Sequence, residues 1–379
     1  MGRPFRILEV NKAYYPHIGG IETLVRQYSE ELGAMEGVEV RTLVCRDGRG
    51  KTVREDLHGV KLTRAGSFGT YFSCPVSLSF IRLFRKMAKR ADAVHINVPF
   101  PLADLALLLS GYKGRVVVSW HSDIVKQKRF LWLYGPLLRR LLKRADAIAV
   151  ATEGHIDGSD WLPAYREKCT VVPYGIVPED YDIPADGFLT DKCVTPGSLK
   201  LFFTGRLVYY KGVETLIKAF CLADSEQCPC ELFIAGTGVL GDELKAEAKR
   251  LGKADRIHFL GFLPEKALRR AYADCDIFIL PSTEKSEAFG IVQLEAMACG
   301  KPVINTLLPS GVPYVSLNGI TGYTVPPGDF ESMSGAILRL GLNRELRERF
   351  GEAARERART VFNEDTVIKT LYKVLKGKE

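Results

Sequence analysis

The sequence holds nine cysteines, from Cys45 to Cys299, and no Cys-x-x-Cys pair among them. An odd, scattered set excludes a disulfide framework and a zinc knuckle, and Cys228 and Cys230, which flank one proline, read as incidental loop thiols. Long apolar runs are missing too. The best, Leu102 to Gly111, falls far short of the ~20 residues that span a bilayer. Met1 leads almost directly into the strand-like Phe5-Arg-Ile-Leu-Glu-Val10, without the charged, apolar and cleavage regions of a signal peptide. Arg6 stands where a myristoylation pattern needs Ser or Thr. A reducing, cytoplasmic setting is therefore expected. The lack of low-complexity tracts excludes disordered and fibrous classes.

With 379 residues, 46% of them hydrophobic and 26% charged, the chain exceeds what one core usually serves, so two domains are expected. A net charge of +8 favours anionic partners such as nucleotides or lipid head groups. Nothing beyond that charge argues for nucleic acid, and none is expected as a partner.

Short β-rich runs alternate with helical patterns. Phe5–Val10, Glu39–Cys45, Ala93–Asn97, Arg115–Trp120, Ala147–Ala151 and Thr170–Val172 mark the first half, in the βαβ rhythm of a parallel sheet. After Pro173 a stretch rich in Pro, Gly and Asp carries no periodicity, and the rhythm restarts at Leu199–Thr204. Glu231–Ala235, Arg256–Leu260, Ile277–Leu280 and Pro302–Asn305 continue it. The segment Glu331 to Lys376 reads as helices broken near Gly351 and Phe362. The expected organisation is a first domain over 1–175, a second over 176–355, and a C-terminal helix over 356–379 returning across the junction. Open α/β sheets bind ligands beyond the carboxyl ends of their strands, so two doubly wound domains facing each other would make a cleft.

The motifs fall at such strand ends. After Ile277–Leu280 comes Glu287-Ala-Phe-Gly-Ile-Val-Gln-Leu-Glu295, two glutamates with seven residues between them. Gly290 permits close backbone approach, and a helix starting at Ile291 would turn the amides of Phe289, Gly290, Ile291 and Val292 toward a diphosphate. If the segment were wholly helical, the carboxylates would lie ~12 Å apart, about the reach from a sugar to a ribose. Carboxylates suit both ends, since each accepts from paired hydroxyls. A solvated glutamate pair on a surface helix is the plain alternative.

After Thr204, Gly205-Arg206-Leu-Val-Tyr-Tyr-Lys211 brings two cations that can neutralise a leaving diphosphate, and no Asp-x-Asp pair accompanies that loop to hold a metal. In the first half, Gly19-Gly20 follows the first strand and lets backbone approach a phosphate or sugar. His121, in Trp120-His-Ser-Asp123, ends a strand on the ligand side, where it can hydrogen-bond a donor hydroxyl. Gly236-Thr-Gly-Val-Leu-Gly241 matches the dinucleotide fingerprint, but it follows the second strand of its domain and reads as a nucleotide-side loop.

Taken together these residues resemble the retaining family-four glycosyltransferases of GT-B fold over nearly the whole chain. The sharpest likeness is the Glu-x7-Glu motif followed by Ala296-Met-Ala-Cys-Gly-Lys-Pro-Val303. The resemblance implies two Rossmann-like domains facing across a cleft, with C-terminal helices packing back across the junction. It implies that Glu287 and His121 contact the transferred sugar, that Gly290 to Val292 hold sugar and phosphates, and that Glu295 holds the ribose. Arg206 and Lys211 match the diphosphate grip, Gly19 and Gly20 the glycine loop, and Leu260-Gly-Phe262-Leu263 the base-holding loop. No cofactor or metal is implied, because the nucleotide sugar is a substrate. The donor would be GDP-mannose or a UDP-hexose, and the acceptor a glycan or lipid-linked glycan. Transfer with retention would use the leaving phosphate to deprotonate the acceptor, with Asp123 a rival base or nucleophile.

The sequence departs from the family at Ser310-Gly-Val-Pro-Tyr314, where many members carry Gly-Gly-x-Pro-Glu. With Trp120-His-Ser-Asp-Ile-Val-Lys-Gln-Lys128, this variant resembles the mannosyl- and hexosyltransferases of bacterial surface-polysaccharide assembly. A sugar-nucleotide 2-epimerase and a catalytically silent sugar-nucleotide-binding subunit are the alternatives.

Two helical segments of the first half are split by charge. Arg82, Arg85, Lys86, Lys89 and Arg90 oppose Ile81, Leu83, Phe84 and Met87, and Arg139, Arg140, Lys143 and Arg144 oppose Leu137, Leu138, Leu141 and Leu142. With Lys126, Lys128 and Arg129 they predict a patch that attracts anionic membrane peripherally, on its cytoplasmic face.

Overall fold

The computed structural model describes residues 3–17, 20–71, 74–123 and 131–377. The chain divides into two units, one formed by Met1–Tyr174 with Val367–Glu379 and the other by Gly175–Thr366.

The first unit is built on eight strands: β1 (Phe5–Val10), β2 (Val38–Cys45), β3 (Val53–Leu57), β4 (Val60–Ala65), β5 (Ala93–Val98), β6 (Arg115–Trp120), β7 (Ala147–Val150) and β8 (Cys169–Val171). Their order across the sheet is β8-β7-β6-β5-β1-β2-β4-β3. Every pairing is parallel except that of β3 with β4, an antiparallel edge. Central strands such as β5 are buried along their whole length, as a sheet covered on both faces requires. β1 is the strand at which the order reverses.

The second unit has β9 (Leu199–Thr204), β10 (Cys230–Ala235), β11 (Ile257–Gly261), β12 (Ile277–Ile279), β13 (Val303–Thr306) and β14 (Gly322–Val325), all parallel in the order β11-β10-β9-β12-β13-β14. This is the Rossmann order, and it reverses between β9 and β12, the crevice where such sheets bind ligands.

Three strands of these two sheets escaped the sequence reading. β3 is exposed and charged, β4 is the alternating Val-Lys-Leu-Thr-Arg-Ala, and β14 lies at an edge, so none carries a continuous apolar run. The C-terminal helices also differ from expectation. Gly351 breaks nothing, because it sits inside the helix Arg344–Val361. A Cβ there would lie 2.2 Å from the carbonyl oxygen of Gly300, so the glycine serves close packing rather than termination. The break comes instead at Asn343, whose side chain accepts from the amide of Leu346 at 2.9 Å as a helix cap.

Residues 356–366 stay with the second unit. Ala358 and Phe362 are fully buried, and the Phe362 carbonyl accepts from the amide of Ile176 at 2.9 Å. Membership changes only at Val367, inside the helix Glu364–Lys376. From there Tyr372 packs edge-on against Phe5 at 6.0 Å, and the Arg115 guanidinium donates to the Val374 carbonyl at 2.9 and 2.8 Å.

Candidate active site

In the second unit the loops after β9 and β12 leave adjacent strands at the reversal point, and their side chains meet. Lys211, in the short turn Tyr209–Lys211, and Glu287 are both buried and form an ion pair through Glu287 Oε2. The Ser282 hydroxyl donates to that same oxygen at 3.0 Å. Ser282 is held in turn, since the Thr306 hydroxyl donates to its carbonyl at 2.6 Å. Two donors on Oε2 orient the carboxylate and leave Oε1 to accept from a ligand. Arg206 differs from Lys211 in being exposed, with its guanidinium donating to the Tyr210 hydroxyl at 2.8 Å.

The glycine loop 236–241 explains itself here. A Cβ on Gly236 would fall 1.9 Å from the Gly205 carbonyl oxygen, and one on Gly238 would fall 2.3 Å from that of Leu207. The Leu207 and Leu240 amides close the contact, donating to the Thr237 and Leu207 carbonyls at 2.9 and 3.1 Å. The dinucleotide-like spacing is thus a brace for the Gly205–Lys211 loop.

The stretch between the glutamates is not wholly helical. The helix runs over Val292–Ala298 with Ile291 as its cap, so Glu287 lies in the preceding loop and the ~12 Å helical spacing does not apply. Gly290 adopts φ +74°, and a Cβ there would meet Leu280 Cδ2 at 2.5 Å and Gln293 Nε2 at 2.8 Å, so glycine is required on both counts. Gln293 and Asn305, missed in the sequence, hold this loop. Gln293 donates to the Phe289 carbonyl at 3.1 Å, and Asn305 donates to Gln293 Oε1 at 2.9 Å. Asn305 also donates to the carbonyls of Val312 and Ser316, which fixes the divergent loop around Tyr314. Tyr314 itself packs edge-on against Phe362.

Glu295 is half-buried and accepts from the Tyr272 hydroxyl at 2.5 Å. Burial raises its pKa, partly opposed by hydrogen bonds from Tyr272 and Tyr181. Phe289 belongs to the core, packed edge-on against Phe362 at 6.1 Å. Phe262 is the opposite case, 77% exposed after β11, with Leu263 half-buried beside it. An aromatic ring exposed at a strand's carboxyl end can stack on a planar group.

In the first unit Gly19 lies outside the described residues. Gly20 opens the helix Gly20–Ala34, with nothing within 4 Å of a Cβ built on it. His121 follows β6 and is buried, and both its ring nitrogens are engaged: Nε2 with Asn97 Oδ1 at 2.8 Å and Nδ1 with the Tyr174 hydroxyl at 2.9 Å. Asp123 accepts from Trp120 Nε1 at 3.2 Å, the Ser159 hydroxyl at 2.7 Å and the Asp160 amide at 2.9 Å. That carboxylate is occupied in holding a loop. The polar residues Glu9, His95 and Asn97 were also missed, although two of them interrupt the fully buried Ala-Val-His-Ile-Asn-Val of β5. Two Asp-x-Asp pairs occur elsewhere in the chain, and each of their carboxylates has a cationic partner: Asp180 Arg269, Asp182 Arg359, and Asp274 and Asp276 Lys200.

Residues 194–357 match the family described as glycosyl transferases group 1, and residues 19–175 match the glycosyl transferase 4-like domain. The chain is 31% identical over 367 residues to an O-antigen chain mannosyltransferase C of Escherichia coli, covering 96% of each. It is 33% identical over 369 residues to the D-rhamnosyltransferase WbpZ of Pseudomonas aeruginosa, covering 94% of this chain and 92% of the relative. It belongs to the group 1 glycosyl transferases. Among solved structures, Anabaena HepE in complex with UDP superposes with a TM-score of 0.80 at 20% identity, covering 98% of this chain and 99% of that one. WaaG, a glycosyltransferase involved in lipopolysaccharide biosynthesis, superposes at 0.68 and 18% identity, covering 98% and 100%. The fold is GT-B, with two Rossmann-like units.

For a group 1 glycosyl transferase the second unit offers an exposed and a buried cation at one strand end, a carboxylate with one open oxygen, and an exposed aromatic ring. That set suits an anionic leaving group attached to a hydroxylated ring. In the first unit, burial lowers the pKa of His121 to about 3 and that of His155 to about 4, so both rings are neutral at pH 7. A histidine with a depressed pKa binds its proton more weakly folded than unfolded. Its contribution to stability is complete above ~6.5 and is lost as pH falls toward the folded value. For His155→Gln the expected outcome is a shallower loss of unfolding free energy between pH 6.5 and 4, by up to about 1.4 kcal/mol per pH unit, in urea titrations run beside the parent.

Proposed function

We propose that this glycosyl transferase is a retaining hexosyltransferase that moves a hexosyl group from a nucleotide-diphosphate sugar, GDP-mannose or a UDP-hexose, to a glycan or lipid-linked acceptor in surface-polysaccharide assembly at the cytoplasmic face of the membrane. The observation that carries this reading is the Lys211–Glu287 pair at the reversal point of the second sheet, with Arg206 exposed beside it on the same loop. Arg206 and Lys211 would grip the diphosphate and take up its charge as the sugar bond breaks, which is the work otherwise given to a divalent cation. Glu287, through Oε1, would accept from hydroxyls of the transferred sugar. Glu295, on the helix after Gly290, would accept from the ribose. Phe262 and Leu263 would hold the base. Solved structures of similar fold contain UDP and UDP-glucose, and the two relatives are a mannosyl- and a rhamnosyltransferase, which supports a nucleotide-sugar donor. Retention is supported by the engagement of both His121 ring nitrogens and by the three donors already held by Asp123, which favour deprotonation by the leaving phosphate over a protein base.

Turnover measured on a panel of nucleotide sugars is expected to persist in excess chelator. Glu295→Ala is expected mainly to raise the donor KM, and Glu287→Ala to lower kcat as well, by about 100-fold, a loss typical of removing one electrostatic contact at a reacting centre. Equal, negligible effects would leave both glutamates with only the structural roles that their hydrogen bonds show. A free epimer formed without acceptor would replace the transferase with an isomerase.

The membrane part of the reading rests on three neighbouring helices of the first unit, Leu78–Ala88, Pro101–Ser110 and Leu131–Arg144. Arg82, Arg85, Lys86, Arg139, Arg140 and Lys143 point to solvent, and Lys89 and Arg90 continue the first of these faces. The apolar sides of the two split helices are turned inward, with Phe84, Leu138, Leu141 and Leu142 buried. The third helix adds exposed Leu105 and Leu109, and Trp132 is 78% exposed. The three helices hold one acid, Asp104, which is buried. Lys126, Lys128 and Arg129 lie outside the described residues. No helix among the described residues is long and apolar enough to cross a membrane, so attachment would be peripheral, at about 1 kcal/mol per close cation. Sedimentation with anionic vesicles at low salt is expected to carry the protein down, with release at high salt and loss in an Arg139→Glu, Arg140→Glu variant.

A further inference from the structure

Across β1, β5 and β6, at the reversal point of the first sheet, six buried polar side chains make one unbroken hydrogen-bond chain. The Ser119 hydroxyl meets His95 Nε2 at 2.7 Å, and His95 Nδ1 meets Glu9 Oε2 at 2.6 Å. Asn97 Nδ2 donates to Glu9 Oε1 at 2.5 Å, Asn97 Oδ1 meets His121 Nε2 at 2.8 Å, and His121 Nδ1 meets the Tyr174 hydroxyl at 2.9 Å. Glu9, His95, Asn97, Ser119, His121 and Tyr174 are all buried. In register, Glu9 stands beside His95, and Asn97 beside Ser119, so the polar groups share one face of the sheet. Their immediate neighbours along the strands, Val94, Ile96, Val118 and Trp120, belong to the apolar core. The chain puts polar groups inside an apolar core, and every member has a hydrogen-bond partner there.

Its polarity is fixed by a carbonyl. Asn97 Nδ2 also lies 3.1 Å from the Val10 carbonyl oxygen, which can only accept, so the amide nitrogen must face β1 and Oδ1 must face His121. Oδ1 can only accept, so His121 must carry its proton on Nε2. Nδ1 is then bare and accepts from the Tyr174 hydroxyl. One tautomer of the histidine is thereby selected, its ring plane is set by two partners, and the Tyr174 proton is committed.

We infer that Asn97, oriented by Glu9 and the Val10 carbonyl, is a positioning residue of the transfer reaction, acting through His121 to hold a neutral, Nε2-protonated imidazole at the carboxyl end of β6. This rests on the transferase reading above. His121 is then a fixed, uncharged group at the strand's carboxyl end, and contributes neither a base nor a charge. The titratable groups around its ring are His95 on β5, His155 on the helix Glu153–Asp157, Glu9 on β1 and Tyr174. Tyr28, on the helix Gly20–Ala34, packs against His95 at 6.1 Å.

The test is nitrogen NMR of the histidine rings in the full chain, together with kcat against pH. In the parent, His121 is expected to show the Nε2–H tautomer throughout pH 5–8, with no ionisation. Asn97→Asp replaces the amide by a carboxylate against Nε2. It is expected to bring His121 ionisation into that range, to lower kcat at least tenfold with donor KM within about twofold, and to add a limb to the pH profile. Asn97→Ser cannot bridge Glu9 and His121, and is expected to lose the single tautomer and the same turnover without the new limb. An Nδ1–H tautomer or a titrating His121 in the parent overturns the inference, and so do variants that lower only the thermal midpoint while kcat and its pH profile stay as in the parent. Absence of transfer by the parent would count against the transferase reading and leave the tautomer result standing.

Discussion

A buried ammonium cannot be left without a counter-charge. Removing one member of such a pair strands the other at a cost of several kcal/mol. Lys211 and Glu287 meet that constraint through each other, and much of the second unit can be traced from it. The pair needs β9 and β12 side by side, which the Rossmann strand order supplies, and it needs both loops to turn inward at the carboxyl ends. Gly236 and Gly238 brace one loop. Ser282, Gln293 and Asn305 brace the other. A ligand bearing both negative charge and hydroxyls relieves neither partner alone. Under the proposed function it would be recognised by the ammonium's remaining donors and the carboxylate's remaining oxygen together, which would tie phosphate recognition to sugar recognition.

The first unit answers the same topological situation with neutral chemistry. Its strand order reverses at β1, and there the sheet carries amide, imidazole and hydroxyl groups in series, ending at His121. One reversal point thus presents charges in an ion pair and the other a pinned, uncharged ring. A reaction that separates a diphosphate from a sugar needs charge stabilised at the leaving group, which is what the second unit's cations can supply.

Where apolar residues predominate, as in β1, β6 and β9, the sequence reading located the strands to the residue. Strands such as β3 and β4, exposed or alternating at an edge, have no such predominance and went unseen. Glycine was read well where it changes the backbone, at Gly290, and wrongly where it only makes room, at Gly351. Among candidate residues, Lys211, Arg206 and Glu287 stood out because loops after strands concentrate function. Their partnership did not, since residues 76 positions apart meet only through strand order. The polar chain in the first unit left a trace in the sequence, a histidine and an asparagine on alternate positions of an otherwise apolar strand. That pattern is equally compatible with a satisfied structural core, and the decisive fact, which way the Asn97 amide points, depends on a carbonyl of another strand.

The account turns on Lys211 and Glu287 acting as one recognition element, and a double-mutant cycle in donor binding tests this most directly. Calorimetry of GDP, UDP and their hexose conjugates would be run on the parent, Lys211→Met, Glu287→Gln and the double variant. If the pair couples phosphate to sugar, each single change weakens binding of the conjugate, and the double variant loses at least tenfold less than the two single losses multiplied together. Independent losses that simply multiply, or single variants that bind every conjugate as the parent does, would contradict it.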